Sequence, residues 1–434
     1  MKQDTLAIHS EYKKDTQRTM NIPIYMTTAF DFGTTEFAAS SFRLEQGTDN
    51  VYSRVGNPTN AILERRIAQI EGGSGALALA SGMSAIFYSI LNIAQAGDNI
   101  IASNQLYGGT ITLFSQTLKK LGIEARFFDI DKTEDIEKLI DENSKCIFFE
   151  TISNPSIDLP DFEKIINIAN KYNLLTIVDN TVATPILCQP LLLGVDIVVH
   201  SASKYITGQG TAIGGLIIER NNLVGKIKNN DRYKHFNEPE PSYQGLVFSN
   251  CGATPILFTF RARMILLRDT GGCLSPFNAW IFIQGLETLS LRIQKHSLNT
   301  LKIAQWLEKQ DIVKKVNYPL LESNKNYDLA KKYLNEFASG LVSFEVKDYE
   351  TAKSILDNVK IFSIVANIGD SKSIINHSAS TTHQQLSADE LKKAGVSQEL
   401  IRLSIGIENV NDLINDLEQA FENTLNNKDL SYCI

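Results

Sequence analysis

The sequence has no closely spaced pair of cysteines. Its five, Cys146, Cys188, Cys251, Cys273 and Cys433, are scattered along the chain, which leaves no disulfide framework and no zinc-like or dithiol spacing. They read as buried small apolar residues of a protein in a reducing compartment, the cytoplasm, and no metal is called for. Basic charge is not in excess either: 42 Lys and Arg against 49 Asp and Glu give a net charge of −7. The basic residues are dispersed, so neither a nucleic-acid partner nor an anionic membrane surface is supported. Small solutes are the expected partners. The opening MKQDTLAIHSEYKKD carries charges where a secretory signal needs an apolar core, so export is not expected. Long apolar runs are scarce too. The uncharged stretch 76–96, ALALASGMSAIFYSILNIAQA, approaches the length of a bilayer span. Its Ser81, Gly82, Ser84, Ser89, Asn92 and Gln95 favour a short buried strand, a turn at Ser81-Gly82 and a buried helix.

What is present is the rhythm of an α/β protein. With 434 residues the chain is long enough for about two or three domains. Seven short runs rich in β-branched residues alternate with amphipathic segments: ALALA, NIIAS, EARFFDI, KCIFFE, LLTIVDN, DIVVHSAS and GGLIIER. They are too apolar for a sheet wet on one side, and predict a mostly parallel seven-stranded sheet with helices on both faces. Residues 284–310 place Leu286, Leu289, Ile293, Leu298, Leu301 and Ile303 at helical spacing, predicting one long helix leaving this domain. After it VKKVNYP, GLVSFEV, IFSIVANIG and LIRLSIGIE read as strands of a smaller C-terminal α+β domain, 286–434. Residues 1–60 lack a period and read as an arm packing on something else; 61–285 form the main domain, with an insertion-like surface region at about 221–260.

In open parallel sheets ligands bind beyond the carboxyl ends of the strands. Asp179 ends one run, Glu150 another with Asn154 shortly after, and Lys204 follows a third. Each has a plain alternative: a helix cap, an Asn-Pro turn, a solvated loop lysine. Together they offer more, because a lysine sheltered among small residues can be neutral and nucleophilic while a buried aspartate can hold a heterocyclic N–H⁺. Those are the needs of pyridoxal 5'-phosphate, which requires a Schiff-base lysine, an acid for the pyridine nitrogen and a phosphate cup. Gly82 and Met83, opening a helix, with the hydroxyls of Ser201 and Ser203, suit the cup. Tyr107 follows another strand end and could stack on the ring, core tyrosine being the alternative. Tyr52 and Arg54 stand on the arm, where an arginine fork suits a phosphate and a structural salt bridge is the alternative. A dehydrogenase is set aside, since the glycines of EGGSGALALASG precede a strand rather than join strand to helix, and no suitable ribose acid follows.

The motifs YSRVGNPT, ASGMSAI, LYGGT, ETISNP, VDNT, HSASK and RLSIGIE occur in that order, and the whole chain so resembles the Cys/Met-metabolism family of pyridoxal-phosphate enzymes, of fold type I (aspartate-aminotransferase-like). The resemblance implies that Lys204 carries the cofactor, Asp179 meets its pyridine nitrogen, Tyr107 stacks on the ring and is a second candidate for acid–base work, and Asn154 lies near the ring hydroxyl, with Glu150 beside it. Gly82, Met83, Ser201 and Ser203 would hold the phosphate with Tyr52 and Arg54 of a neighbouring subunit, so a homo-oligomer, usually a dimer of dimers, is implied. Arg402 would clamp the substrate carboxylate, with Ser363, Asn367 and Tyr52 lining the same pocket. KHFNEPEPSYQGLVF, RDTGGCLSPFNAWIFIQGLETLSLR and VANIGDSKSIINHSASTTHQQL are similar to the O-acetylhomoserine sulfhydrylase branch, although Gln244 replaces its common histidine and Ser378 its usual proline. Gly109 stands where methionine γ-lyases carry cysteine. The implied activity is exchange of acetate on O-acetyl-L-homoserine for sulfide or a small thiol; cystathionine γ-synthase and the γ-lyases are the alternatives.

Overall fold

The computed structural model describes residues 1–44, 50–252, 254–381, 384, 391 and 395–431; Cys433 and most of TTHQQL lie outside the described residues. All seven apolar runs are strands of one sheet: β1 (Gly75–Leu79), β2 (Asn99–Ser103), β3 (Glu124–Phe128), β4 (Ser144–Glu150), β5 (Leu175–Asp179), β6 (Ile197–Ser201) and β7 (Gly215–Glu219). Their order is β1-β7-β6-β5-β4-β2-β3. Only β7 runs against its neighbours; the other pairings are parallel. Strand side chains alternate between faces, and both faces are covered. Ala78, Phe149, Val178 and Val198 enter one core; Leu77, Phe148, Ile177 and Val199 enter another. The first core also holds Phe344, Ile401, Leu403 and Phe421, so it runs without interruption into the C-terminal sheet. That sheet has the order β10-β11-β12-β9-β8, built from β8 (Lys315–Asn317), β9 (Leu341–Glu345), β10 (Ser363–Ile364), β11 (Ile374–Asn376) and β12 (Leu400–Ser404).

The uncharged 76–96 stretch resolves into β1, an N-cap at Ser81 and the helix Gly82–Leu91. No helix among the described residues is long and apolar enough to cross a membrane.

Four expectations need correction. The single helix over 284–310 is two, Pro276–Glu287 and Leu289–Leu307, interrupted at Thr288, where Gly285 O accepts from the Thr288 amide (3.4 Å) and from the returning Arg292 side chain (2.6 Å). Leu298 lies on its solvent face, 48 % exposed. The 221–260 region is not merely surface: Tyr233, Phe236, Phe248 and Phe258 are buried in the second core. Cys146 and Cys188 are buried, but Cys251 and Cys273 only half so. β11 was not anticipated, being three residues long and bracketed by polar side chains. The arm begins on its own subunit, since Gln3 in the helix Gln3–His9 donates to Ile70 O and Pro185 O. Beyond it Met20, Met26 and Phe42 are exposed.

Candidate active site

β4, β5 and β6 are adjacent in the sheet, so their carboxyl ends place Glu150, Asp179 and Ser201 side by side, with Glu150 and Asp179 paired in register. A cavity of about 240 Å³ opens there. It is lined by eleven of the fourteen residues singled out from sequence: Gly82, Met83, Tyr107, Glu150, Asn154, Asp179, Ser201, Ser203, Lys204, Asn367 and Arg402. A larger cleft of about 980 Å³, around Lys314, Asn317 and Lys325, contains none of them. Tyr52 and Arg54 do not line the cavity in their own chain; they stack on one another, the guanidinium 5.5 Å from the ring. Ser363 does not reach it, lying exposed on β10.

Asp179 Oδ1 accepts from the backbone (2.9 Å) and hydroxyl (2.5 Å) of Thr181, and the same hydroxyl accepts from Ser201 N at 2.8 Å. Thr181 therefore ties the β5 end to the β6 end. It lies in the VDNT motif without having been given a role, although a hydroxyl two residues after a carboxylate is a common local acceptor–donor pair. Glu150 is held by backbone amides, Oε1 by Tyr107 N (2.7 Å) and Oε2 by Asn154 N (3.1 Å). Burial, then the neighbouring Asp179 charge, push Glu150 well above the carboxylate range. Burial raises Asp179 as well, with the Thr181 hydrogen bonds opposing. Two carboxyl groups side by side, both raised in pKa, make a site that favours a shared proton or a positively charged neighbour.

Lys204 Nζ donates to Asn367 Oδ1 at 2.6 Å. Burial, and secondarily Arg402, lower its pKa, which favours the neutral amine. Arg402 is 3 % exposed; it donates to Asn154 Oδ1 and Asn367 O, both at 2.9 Å. Its Nε has no partner among the described residues, leaving a buried donor to be satisfied. Burial brings its pKa down to about 10, so it remains a cation.

The phosphate end is built by close approach. A Cβ on Gly82 would lie 2.6 Å from Ser201 Cβ, so only glycine lets the start of the Gly82–Leu91 helix meet the end of β6. Ser81 caps that helix by accepting from Ser84 N at 3.1 Å, which leaves the amides of Gly82 and Met83 without intrahelical partners, an anion site by geometry and dipole. Ser203 is committed to Gly214, whose N donates to its hydroxyl at 3.0 Å. At the other wall, a Cβ on Gly109 would stand 2.6 Å from Tyr107 Cε1, so that glycine makes room for the ring.

Residues 4–422 match the family model described as Cys/Met metabolism PLP-dependent enzyme. The chain is 43 % identical to the O-acetyl-L-homoserine sulfhydrylase of Leptospira meyeri, covering 97 % of both chains. It is 42 % identical to the homocysteine/cysteine synthase of Kluyveromyces lactis, covering 98 % of both. A crystal structure of a putative O-acetylhomoserine (thiol)-lyase from Campylobacter jejuni superposes with a TM-score of 0.95 at 53 % identity, over 97 % of this chain and 100 % of that one. That structure contains N'-pyridoxyl-lysine-5'-monophosphate.

Proposed function

The chain belongs to the Cys/Met metabolism PLP-dependent enzymes, and from that premise we propose that it catalyses γ-replacement on O-acetyl-L-homoserine, releasing acetate and joining sulfide or a small thiol to give L-homocysteine or L-methionine. The observation that carries the reading is the convergence of Lys204, Asp179 and Arg402 on one cavity in a chain similar to sulfhydrylases over its full length. The γ-synthase and γ-lyase alternatives are not favoured by those relatives.

The cavity suits pyridoxal 5'-phosphate: a glycine-only helix start, the neighbouring carboxyl groups of Asp179 and Glu150, and a desolvated lysine. When bound, the cofactor supplies an electron sink for negative charge developing on the substrate. Lys204 is the residue that holds it covalently. Asp179 takes the ring N–H⁺, whose charge offsets the cost of its burial. Gly82 and Met83 amides and the Ser201 hydroxyl receive the phosphate, and Ser203 adds to this cup by fixing Gly214. Tyr107, Glu150 and Asn154 line the same cavity; Tyr107 would cover the ring, and Glu150 and Asn154 would order its edge. Arg402 orients the substrate carboxylate through its fork, Nε included, while Asn367, which accepts from the free Lys204 Nζ at 2.6 Å, would receive that amine once the substrate has displaced it. The freed amine, whose pKa burial lowers, removes the Cα proton and carries it toward Cβ. Acetate leaves Cγ, and the sulfur nucleophile bonds to the same carbon.

The enzyme works as a homo-oligomer, a dimer of dimers, in the cytoplasm. Supporting this, Tyr52 and Arg54 sit outside their own cavity on an arm that also exposes Met20, Met26 and Phe42, as residues that complete a neighbour's phosphate cup would. Supporting the compartment, the described cysteines are all free. The test offers O-acetyl- and O-succinyl-L-homoserine with sulfide, methanethiol or cysteine in turn. Homocysteine or methionine from the acetyl ester is expected; cystathionine as the main product, or 2-oxobutyrate without added thiol, would sink the reading.

A further inference from the structure

On the opposite face of the sheet, behind the strand ends that carry Glu150, Asp179 and Ser201, lies a polar cluster with no part in the chemistry above. Glu71, last residue of the helix Pro58–Glu71, brings Oε1 to 2.5 Å from His200 Nε2. The same oxygen accepts from Asn180 Nδ2 at 3.0 Å. Asn180 Nδ2 also donates to Cys188 O (3.0 Å), and Thr151 Oγ1 donates to Asn180 Oδ1 (2.8 Å). The side chains of Glu71 and His200 are both 0 % exposed.

Apolar fillings of such spaces are often at least as stable, because buried ionisable groups cost desolvation that their pairing only partly returns. What the cluster provides is direction. Thr151, Asn180 and His200 are the immediate chain neighbours of Glu150, Asp179 and Ser201, and successive strand residues point to opposite faces. One carboxylate therefore pins the β5 and β6 ends from behind, while Thr181 ties them in front through Ser201 N and Asp179 Oδ1. Between these two ties the Asp179 and Ser201 side chains have little freedom.

We infer that Glu71 and His200, acting with Asn180, are positioning residues that hold Asp179 and Ser201 in the orientation that receives the cofactor's ring nitrogen and phosphate. The inference rests on the roles proposed above for Asp179 and Ser201. Misplacement by about 1 Å at such a site costs on the order of 100-fold in rate, so loss of the rear tie is expected to reach the chemistry.

The test prepares wild type, Glu71→Ala, His200→Ala, His200→Gln and Asp179→Asn, removes the cofactor and titrates pyridoxal 5'-phosphate back by visible absorbance. It then measures kcat and KM for O-acetyl-L-homoserine on the reloaded enzymes. Glu71→Ala and His200→Ala are expected to bind the cofactor roughly 10-fold more weakly, with a shifted visible band and kcat reduced about 10-fold or more at nearly constant KM. His200→Gln, whose amide still donates to Glu71, is expected to recover most of both. Native affinity, band and kcat in the two alanine variants, with a lower melting temperature as their sole defect, overturns the inference. So does a His200→Gln variant as impaired as His200→Ala. If the alanine variants do not fold, Asn180→Ala removes the other donor to Glu71, and unchanged affinity and kcat there overturn it equally. Failure of the underlying reading has a different signature: wild type takes up no cofactor, or Asp179→Asn keeps the native band and turnover.

Discussion

Replacing Gly82 by alanine sets two effects of opposite sign against each other. Alanine is the better helix former, by up to about 1 kcal/mol over glycine within a helix, and Gly82 is the first residue of Gly82–Leu91. Propensity alone predicts a more stable protein. The added Cβ, however, would stand 2.6 Å from Ser201 Cβ, 2.8 Å from Ser201 Cα and 3.0 Å from Ser201 Oγ. Ordinary carbon contacts lie near 3.5–4.0 Å, so the helix start and the β6 end must separate by about 1 Å. One partner is backbone and cannot swing aside. Overpacking of this kind costs about 1–3 kcal/mol, so the clash wins. The separation also opens the phosphate cup, and if the strain is relieved there, cofactor affinity drops by roughly 5- to 150-fold, the ratio corresponding to about 1–3 kcal/mol. Thermal melting of the cofactor-free protein and absorbance titration with pyridoxal 5'-phosphate measure the two consequences separately. A variant that melts at or above wild type and binds the cofactor with native affinity would refute the close-approach argument.

Further substitutions probe other walls of the cavity. Lys204→Ala is expected to abolish the visible absorption of the bound cofactor and nearly all turnover; full activity in that variant contradicts the role given to the lysine. Arg402→Lys keeps the charge but loses the fork, and kcat/KM for O-acetyl-L-homoserine should drop about 10- to 150-fold, the cost of one charged hydrogen-bond pair at about 1.5–3 kcal/mol; a change under twofold would show that the carboxylate binds elsewhere. Gly109→Cys drives a side chain into the space of the Tyr107 ring, so cofactor affinity and kcat should both decline, and an unaltered enzyme would show that the ring has room to move. His296 is buried with Nδ1 donating to Ile405 O, and burial lowers its pKa from 6.5 to about 4. The unfolded chain then binds more protons between those values, so this group's stabilisation is complete above pH 6.5 and is lost as pH falls toward 4, on the order of 3 kcal/mol in all. Urea unfolding across that range should steepen for wild type and flatten for His296→Gln; equal slopes would show that His296 is not the group responsible.

The local character of the main sheet was written in the chain. The middle strands of the sheet are apolar at most positions because both faces are covered, and such runs announce themselves without any tertiary information. The same holds for the groups at the strand ends: Glu150, Asp179 and Lys204 are polar residues placed where a buried run stops, and the parallel sheet gathers them at one edge. Arg402, Asn367 and Ser363 came through family motifs rather than through physics, and there the outcomes differ. Arg402 reaches the cavity because β12 lies inside the second sheet, whereas Ser363 stands on an exposed edge strand of two residues, a difference no spacing reveals.

What the sequence alone determined is therefore short-range: which segments are strands or helices, where a glycine or capping serine must stand, and which side chains have the chemistry to hold a phosphate or a proton. What the tertiary structure decided depends on contacts between distant segments. A helix that its apolar spacing would have continued breaks at Thr288, beside the returning Arg292, the 221–260 segment buries its aromatics, and Glu71 meets His200 across 129 residues of chain. Periodicity records what each residue needs from its surroundings, but the partner that meets the need is chosen only when the layers close.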